Sequence, residues 1–303
     1  MLLIKVSDVV TGRVIKFYNS FFFVDVNGEL LPCKLRGLMK RDKRSGSVVC
    51  PGDFVEVSKL DDGTGVIESV QPRKNMLKRP TVANVDQVIL TFAAASPDLN
   101  RLLLNRFLVL AEWSNIADIT ICINKIDLID EAENFLKEYE SLYKIIRVSS
   151  INGNNINKLK SQIENKVIVL TGPSGVGKSS ILNAIDKNFN LKTGDVSEKI
   201  KRGRHTTRVS ELIPFANGFL VDTPGFSAVD LVEVGIDEKN LGDCFKEFAN
   251  FVGDCKFTGC SHSHEPDCAI KSAVSNGKIL YERYESYISM LNEISERKKP
   301  KYG

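Results

Sequence analysis

Gly172-Pro173-Ser174-Gly175-Val176-Gly177-Lys178-Ser179 carries glycines at its first and sixth positions, then Lys and Ser. Glycines there let backbone N–H groups converge on phosphate oxygens with no side chain between them. The spacing G-x-x-x-x-G-K-[ST] therefore predicts a phosphate-binding loop, with Gly172 through Ser180 as the nucleotide-contacting stretch. Lys178 would neutralise β/γ-phosphate charge and Ser179 would ligate Mg²⁺. An apolar strand precedes the loop and a helix opens at Lys178, whose N-terminal dipole adds to anion binding.

Phosphate loops serve several chemistries, and this string is also similar to that of guanylate kinases, so the base-recognition element decides. Asn124-Lys125-Ile126-Asp127 fits N-K-x-D and follows the apolar run Ile119 to Ile123. An Asp carboxylate accepts from guanine N1–H and the exocyclic amine, a pairing that adenine does not offer. Asn124 would reach the N7 edge, and the Lys125 stem would pack on the ring. Ser149-Ser150, after the strand Lys144 to Val148, takes the place of a loop offering a backbone N–H to guanine O6.

Asp222-Thr223-Pro224-Gly225 fits D-x-x-G. Asp222 would hold Mg²⁺ through water and the Gly225 N–H would meet the γ-phosphate. Between this motif and the phosphate loop lies Gly203-Arg204-His205-Thr206-Thr207, one of whose threonines (Thr206 or Thr207, with Thr207 as the assigned ligand) would complete Mg²⁺ coordination. Together they make a switch that relaxes on hydrolysis. Phe226 and Ser227 follow D-T-P-G where many GTPases place a water-orienting Gln. Slow intrinsic turnover is expected, and His205 is the residue left to place the attacking water; the alternative is a surface His facing phosphate or RNA.

The order of the motifs is unusual. Base recognition at 124 precedes the phosphate loop at 172, which predicts a circular permutation. D-x-x-G then runs within about fifteen residues into the C-terminal segment. That segment carries Cys255-x₄-Cys260-x-His262-x₅-Cys268, a tetrahedral Zn²⁺ set of thiolates and one imidazole. His264 competes with His262, and Cys244 is a weaker candidate; Cys33, Cys50 and Cys122 read as packing residues.

These residues need a scaffold. The 303 residues are ample for two or three domains. Thr11 to Phe17, Phe21 to Val26, Glu29 to Leu35, Asp53 to Lys59 and Gly65 to Val70 read as short strands parted by turn signals such as Asn27-Gly28, which predicts a small OB-like barrel over residues 1–79. From residue 80 to 232 apolar strands alternate with helical stretches (Leu99 to Trp113, Glu131 to Tyr143, Lys178 to Asp186), which predicts a mainly parallel α/β sheet. Glu211 to Phe215 and Gly218 to Asp222 predict an edge hairpin. Residues 233–303 read as a helical zinc-binding domain with helices at Glu238 to Phe251, Pro266 to Ser275 and Lys278 to Ser295, ending in a basic tail.

Composition bounds the rest. Residues 1–79 hold 14 Lys/Arg against 9 Asp/Glu, a net of +5, and the remaining chain is −2. Basic clusters at Lys34 to Arg44, at Arg73 to Arg79 and at Lys199 to Arg208 fit a polyanion. No apolar run reaches a membrane span of about 18 residues. The start does not read as a signal peptide. The expectation is a cytoplasmic monomer without disulfides.

Barrel, permuted motifs, Cys/His segment, the Gly203-to-Thr207 loop and Arg79-Pro80 leading to Asn84-Val85-Asp86-Gln87 together resemble the small ribosomal subunit biogenesis GTPase A (RsgA) family over essentially the whole chain. The resemblance implies a slow GTPase, stimulated by the small (30S) ribosomal subunit, that binds its rRNA and acts late in its maturation. It departs from the family at Arg208, where a third threonine is usual. The competing readings are a nucleotide kinase acting on GMP and a non-enzymatic RNA-binding module.

Overall fold

The computed structural model describes residues 9–36, 49–78, 81–189, 210–221 and 230–298. β1 (Val9–Tyr18), β2 (Phe21–Val26), β3 (Glu29–Leu35), β4 (Phe54–Lys59) and β5 (Gly65–Val70) close into a barrel in the order β1-β2-β3-β5-β4. Only β3 and β5 run parallel. Asn27 and Gly28 both take positive φ, as a tight two-residue hairpin requires. Val14, Val24, Val55, Val57 and Ile67 fill the interior and are wholly buried.

A short hairpin, β6 (Met76–Lys78) and β7 (Thr81–Ala83), leads out of the barrel. The joint is tightly held. Arg73 donates to both carboxylate oxygens of Asp53, at 2.6 and 2.8 Å, and Asp53 is fully buried. Asn84 Nδ2 donates to the Gly52 carbonyl at 3.0 Å.

The central sheet is built from β8 (Gln87–Ala93), β9 (Asp118–Asn124), β10 (Lys144–Arg147), β11 (Val167–Thr171), β12 (Leu212–Phe215) and β13 (Gly218–Val221), in the order β10-β9-β8-β11-β13-β12. All neighbours are parallel except the β12–β13 hairpin, which turns at Ala216-Asn217, both at positive φ. β8 shows why the strands read as unbroken apolar runs: Val88, Leu90 and Phe92 serve one core and Ile89 the other. α1 (Arg101–Trp113), capped by Asn100 on the Leu103 N–H, covers the first face, while α2 (Ile156–Ile163) and α3 (Lys178–Ile185) cover the second.

The C-terminal segment has α4 (Ala269–Ser275) and α5 (Tyr281–Lys298). Its apolar residues Phe245, Phe248, Tyr287, Met290 and Ile294 belong to the same core as Leu104 and Phe107 of α1.

Two expected helices are corrected. Residues 131–143 form 3-10 turns at Ala132–Asn134 and Lys137–Tyr139, because Leu136 sits in the left-handed region and Arg147 takes the Phe135 carbonyl. Residues 238–251 form 3-10 turns at Gly242–Cys244 and Lys246–Asn250. There the backbone N–H groups reach carbonyls three residues back, Cys244 to Leu241, Phe245 to Gly242 and Phe248 to Phe245, and Phe245 itself leaves the helical region with φ of −109° and ψ of 87°. α4 starts at Ala269 rather than Pro266, since Asp267 has positive φ. The sequence pattern predicts neither α2 nor the β6–β7 hairpin. Among the described residues no helix is long and apolar enough to cross a membrane.

Candidate functional site

The phosphate loop leaves β11 at Gly172 and enters α3 at Lys178. Gly172, Gly175 and Gly177 have φ of 152°, 80° and 91°. A Cβ on Gly172 would lie 1.9 Å from the Thr91 carbonyl oxygen, so only glycine lets the loop pass β8. Lys178 Nζ donates to the carbonyls of Gly172 (2.8 Å) and Pro173 (2.6 Å), folded back over its own loop. Burial pulls its pKa down. Ser179 is buried directly behind it on α3.

N-K-x-D sits where β9 ends, and the structure brings it against this loop. Asn124 is wholly buried. Its Nδ2 donates to the Val176 carbonyl at 2.9 Å, and its Oδ1 accepts the Ser150 N–H at 3.1 Å. One side chain thus ties together the phosphate loop, the base motif and the Ser149-Ser150 loop. Lys125 has φ of 62° and bonds the Ser96 carbonyl through Nζ. Ile126, Asp127 and Leu128 form a 3-10 turn, and Ser149 Oγ donates to Asp127 Oδ1 at 2.5 Å. That bond aims the carboxylate while leaving its other oxygen free of Ser149. The β8–α1 loop through Ser96 and Pro97, which no motif marked, flanks both Lys125 and Gly175.

His205, Thr206, Thr207, Asp222 and Gly225 lie outside the described residues, as does Arg208. β13 ends at Val221, the residue before Asp222, next to β11 and its phosphate loop.

The second constellation gathers Cys255, Cys260, His262 and Cys268, whose ligand atoms all lie within 4.8 Å of one another. His262 Nδ1 is 3.6 Å from Cys255 Sγ and 3.5 Å from Cys268 Sγ. Ligands about 2.0 to 2.3 Å from a tetrahedral Zn²⁺ stand roughly 3.5 Å apart, so the set fits that ion. His262 takes positive φ, and the carbonyls flanking it are held by α5: Tyr287 OH donates to Ser261 at 2.7 Å and Tyr284 OH to His262 at 2.8 Å. Burial lowers the His262 pKa. Burial, with smaller contributions from the Cys268 and Cys255 side chains beside it, pushes the Cys260 thiol up to about 12. His264 is exposed, bonds Ser263 and lies outside the cluster. Cys244, Cys33, Cys50 and Cys122 are buried, and burial pushes each thiol up to about 12.

Where α1 meets α5 lies a buried polar network that the sequence pattern does not predict. Arg283 of α5, with no exposed surface, donates to both Glu247 oxygens at 2.7 and 3.0 Å and to Asn105 Oδ1 at 3.2 Å. Asn105 also accepts from Tyr139 OH and donates to Ser286 Oγ. The one signal was an arginine on an otherwise apolar stripe of α5.

A sequence model of the RsgA GTPase matches residues 70–232, and one of the RsgA N-terminal domain matches residues 11–67. The small ribosomal subunit biogenesis GTPase RsgA of Clostridium acetobutylicum is 44% identical over 292 residues, covering 95% of this chain and 98% of that protein. Its counterpart from Caldanaerobacter subterraneus subsp. tengcongensis is 40% identical over 297 residues, covering 97% and 98%. The crystal structure of YjeQ from Thermotoga maritima superposes with a TM-score of 0.80 at 37% identity, covering 95% of this chain and 99% of that one. YloQ, described as a circularly permuted GTPase, does so with 0.77 at 32%, over the whole of both chains. The chain belongs to the RsgA GTPase family and is a GTP hydrolase.

Proposed function

We propose that this GTPase acts in maturation of the small ribosomal subunit, hydrolysing GTP slowly alone and faster on the subunit, and leaving when the nucleotide switch relaxes. The observation that carries the reading is Asn124, which joins base recognition to the phosphate loop by bonds to Val176 and Ser150. A nucleotide kinase has no use for that link.

In this reading Asp127, aimed by Ser149, selects guanine. Asn124, Lys125, Ile126 and Ser150 complete the base pocket, and Gly172 through Ser180 cradle the phosphates. Mg²⁺ arrives with GTP, on Ser179 and Thr207. Lys178, Thr206, Asp222 and Gly225 stabilise the transferring phosphate, and His205 orients water. One structural Zn²⁺ per chain sits on Cys255, Cys260, His262 and Cys268. The functional units are the barrel (1–79), the permuted GTPase (80–232) and the zinc segment (233–303). A cation stacked on an aromatic ring at the barrel surface, Lys34 over Phe21 at 4.8 Å, suits an rRNA contact. The protein would work as a cytoplasmic monomer.

The test is phosphate release from GTP and from ATP, each with and without purified small subunits. GTP-selective release that rises with subunits is expected. Release that ignores the subunit, or phosphate moving from ATP to GMP, would overturn the proposal.

A further inference from the structure

Strand β1 changes faces halfway along. Arg13 pairs with Asp25 and Val14 with Val24, but the next partner, Phe23, faces Lys16. Ile15 is an extra residue, a β-bulge. Val14 belongs to the barrel interior, whereas Ile15, 6% exposed, joins the main core together with Leu77, Val82 and Val85. In a regular strand Arg13 and Lys16 would point to opposite faces. The bulge brings both to one neighbour, the β12–β13 hairpin. The Arg13 guanidinium lies 4.4 Å from the ring centroid of Phe54 in the barrel and 5.7 Å from that of Phe219 on β13. Lys16 Nζ lies 3.0 Å from Glu211 Oε1, just before β12.

The hairpin's place in the chain gives these contacts meaning. β12 begins four residues after Arg208, and β13 ends at the residue before Asp222. The barrel therefore touches, at Glu211 just before β12 and at Phe219 on β13, the segment that covalently joins the threonine loop to D-T-P-G. No nucleotide motif accounts for Arg13 or Lys16.

Resting on the GTPase reading, we propose that Arg13 and Lys16 are positioning residues for hydrolysis: they hold the β12–β13 hairpin, whose neighbours in sequence are the two switch motifs, beside β11, the strand that feeds the phosphate loop. A polyanion that engages the barrel and favours one seating of β1 would then change turnover without touching the nucleotide.

The experiment uses the full chain and measures GTP turnover, with and without small subunits, for Lys16→Glu, Glu211→Lys, their double charge swap, and Arg13→Leu. An exposed ion pair of this kind predicts that Lys16→Glu lowers kcat about 2- to 5-fold. Loss of the two ring contacts predicts a drop of about 2- to 30-fold for Arg13→Leu. Affinity for a fluorescent GDP should stay within about twofold, since the pocket itself is intact. The charge swap should restore turnover, which a merely damaged fold would not show. Variants that turn over at the wild-type rate, or a swap as slow as its parents, would overturn the inference and leave the GTPase reading standing. Wild-type protein that releases no phosphate from GTP would overturn both.

Discussion

A Cβ on Gly177 would stand 2.2 Å from the Asn124 side-chain nitrogen, the same nitrogen that donates to the Val176 carbonyl. The N-K-x-D motif and the Gly-rich loop are thus one packed unit, although 52 residues separate Asn124 from Val176. The permutation has reversed their order in the chain without loosening that contact.

Gly177→Ala should therefore damage the site twice over. The residue has φ of 91°, which a side chain adopts at a cost of about 1–2 kcal/mol. The added methyl must also push Asn124 off Val176. A loss of roughly tenfold or more in GDP affinity is expected, read by fluorescent-nucleotide titration. Wild-type affinity would show that the loop moves freely past Asn124.

Asp127→Asn should change which base binds. The carboxylate pairs with two guanine donors, and an amide replaces one acceptor by a donor. Xanthine offers a carbonyl where guanine has the amine, so the variant should prefer xanthosine over guanosine nucleotides. Each mismatched hydrogen bond is worth about 1–3 kcal/mol when buried. Competition between GDP and XDP measures the change. A variant that still prefers GDP would mean that Asp127 does not read the base.

The Gly-rich loop, N-K-x-D and the Cys/His set can be read as motifs because each is a short stretch, and the structure gathers Asn124 against Val176 and draws Cys255, Cys260, His262 and Cys268 together. The barrel strands, where alternation matched the pleat, and the Ala216-Asn217 hairpin turn are legible too. What escaped was decided by distant partners. The segment 131–143 has helical spacing, yet Arg147 captures the Phe135 carbonyl and Leu136 turns left-handed. The bulge at Ile15 depends on a partner strand and a neighbouring hairpin. The burial of Arg283 is not readable locally, because Glu247, which neutralises it, lies 36 positions away.

If the Cys/His loop holds Zn²⁺ as proposed, the ion should do more there than fill a ligand set. Cys255, Cys260 and Cys268 are gathered in a segment with no strand and only 3-10 turns before α4. Cys260→Ser should lower zinc content from one per chain to near zero, read by metal release on denaturation. Thermal unfolding of the C-terminal segment should begin earlier, because structural zinc contributes folding free energy directly. Unchanged stability in the zinc-free variant would show that Tyr284 and Tyr287 suffice to hold the loop.

Arg283 and Glu247 set the last expectation. The pair is bidentate at 2.7 and 3.0 Å, with Arg283 fully buried and Glu247 7% exposed. The guanidinium also lies 4.6 Å from the Phe245 ring centroid. Burying two charges costs nearly as much as their attraction returns, so the pair itself adds little net stability. Removing one member is different, because it leaves a buried charge uncompensated. Arg283→Met should cost about 3–5 kcal/mol in chemical denaturation. Arg283→Met with Glu247→Leu should recover most of that loss, since two apolar side chains refill the space. Phe248, next to Glu247, packs edge-on to His262 with ring centroids 5.9 Å apart. The single variant should therefore also release zinc to a chelator faster, and the double variant should not. If the double variant is as unstable as the single one, the network's worth lies in Asn105 and its bond to Arg283 rather than in the ion pair.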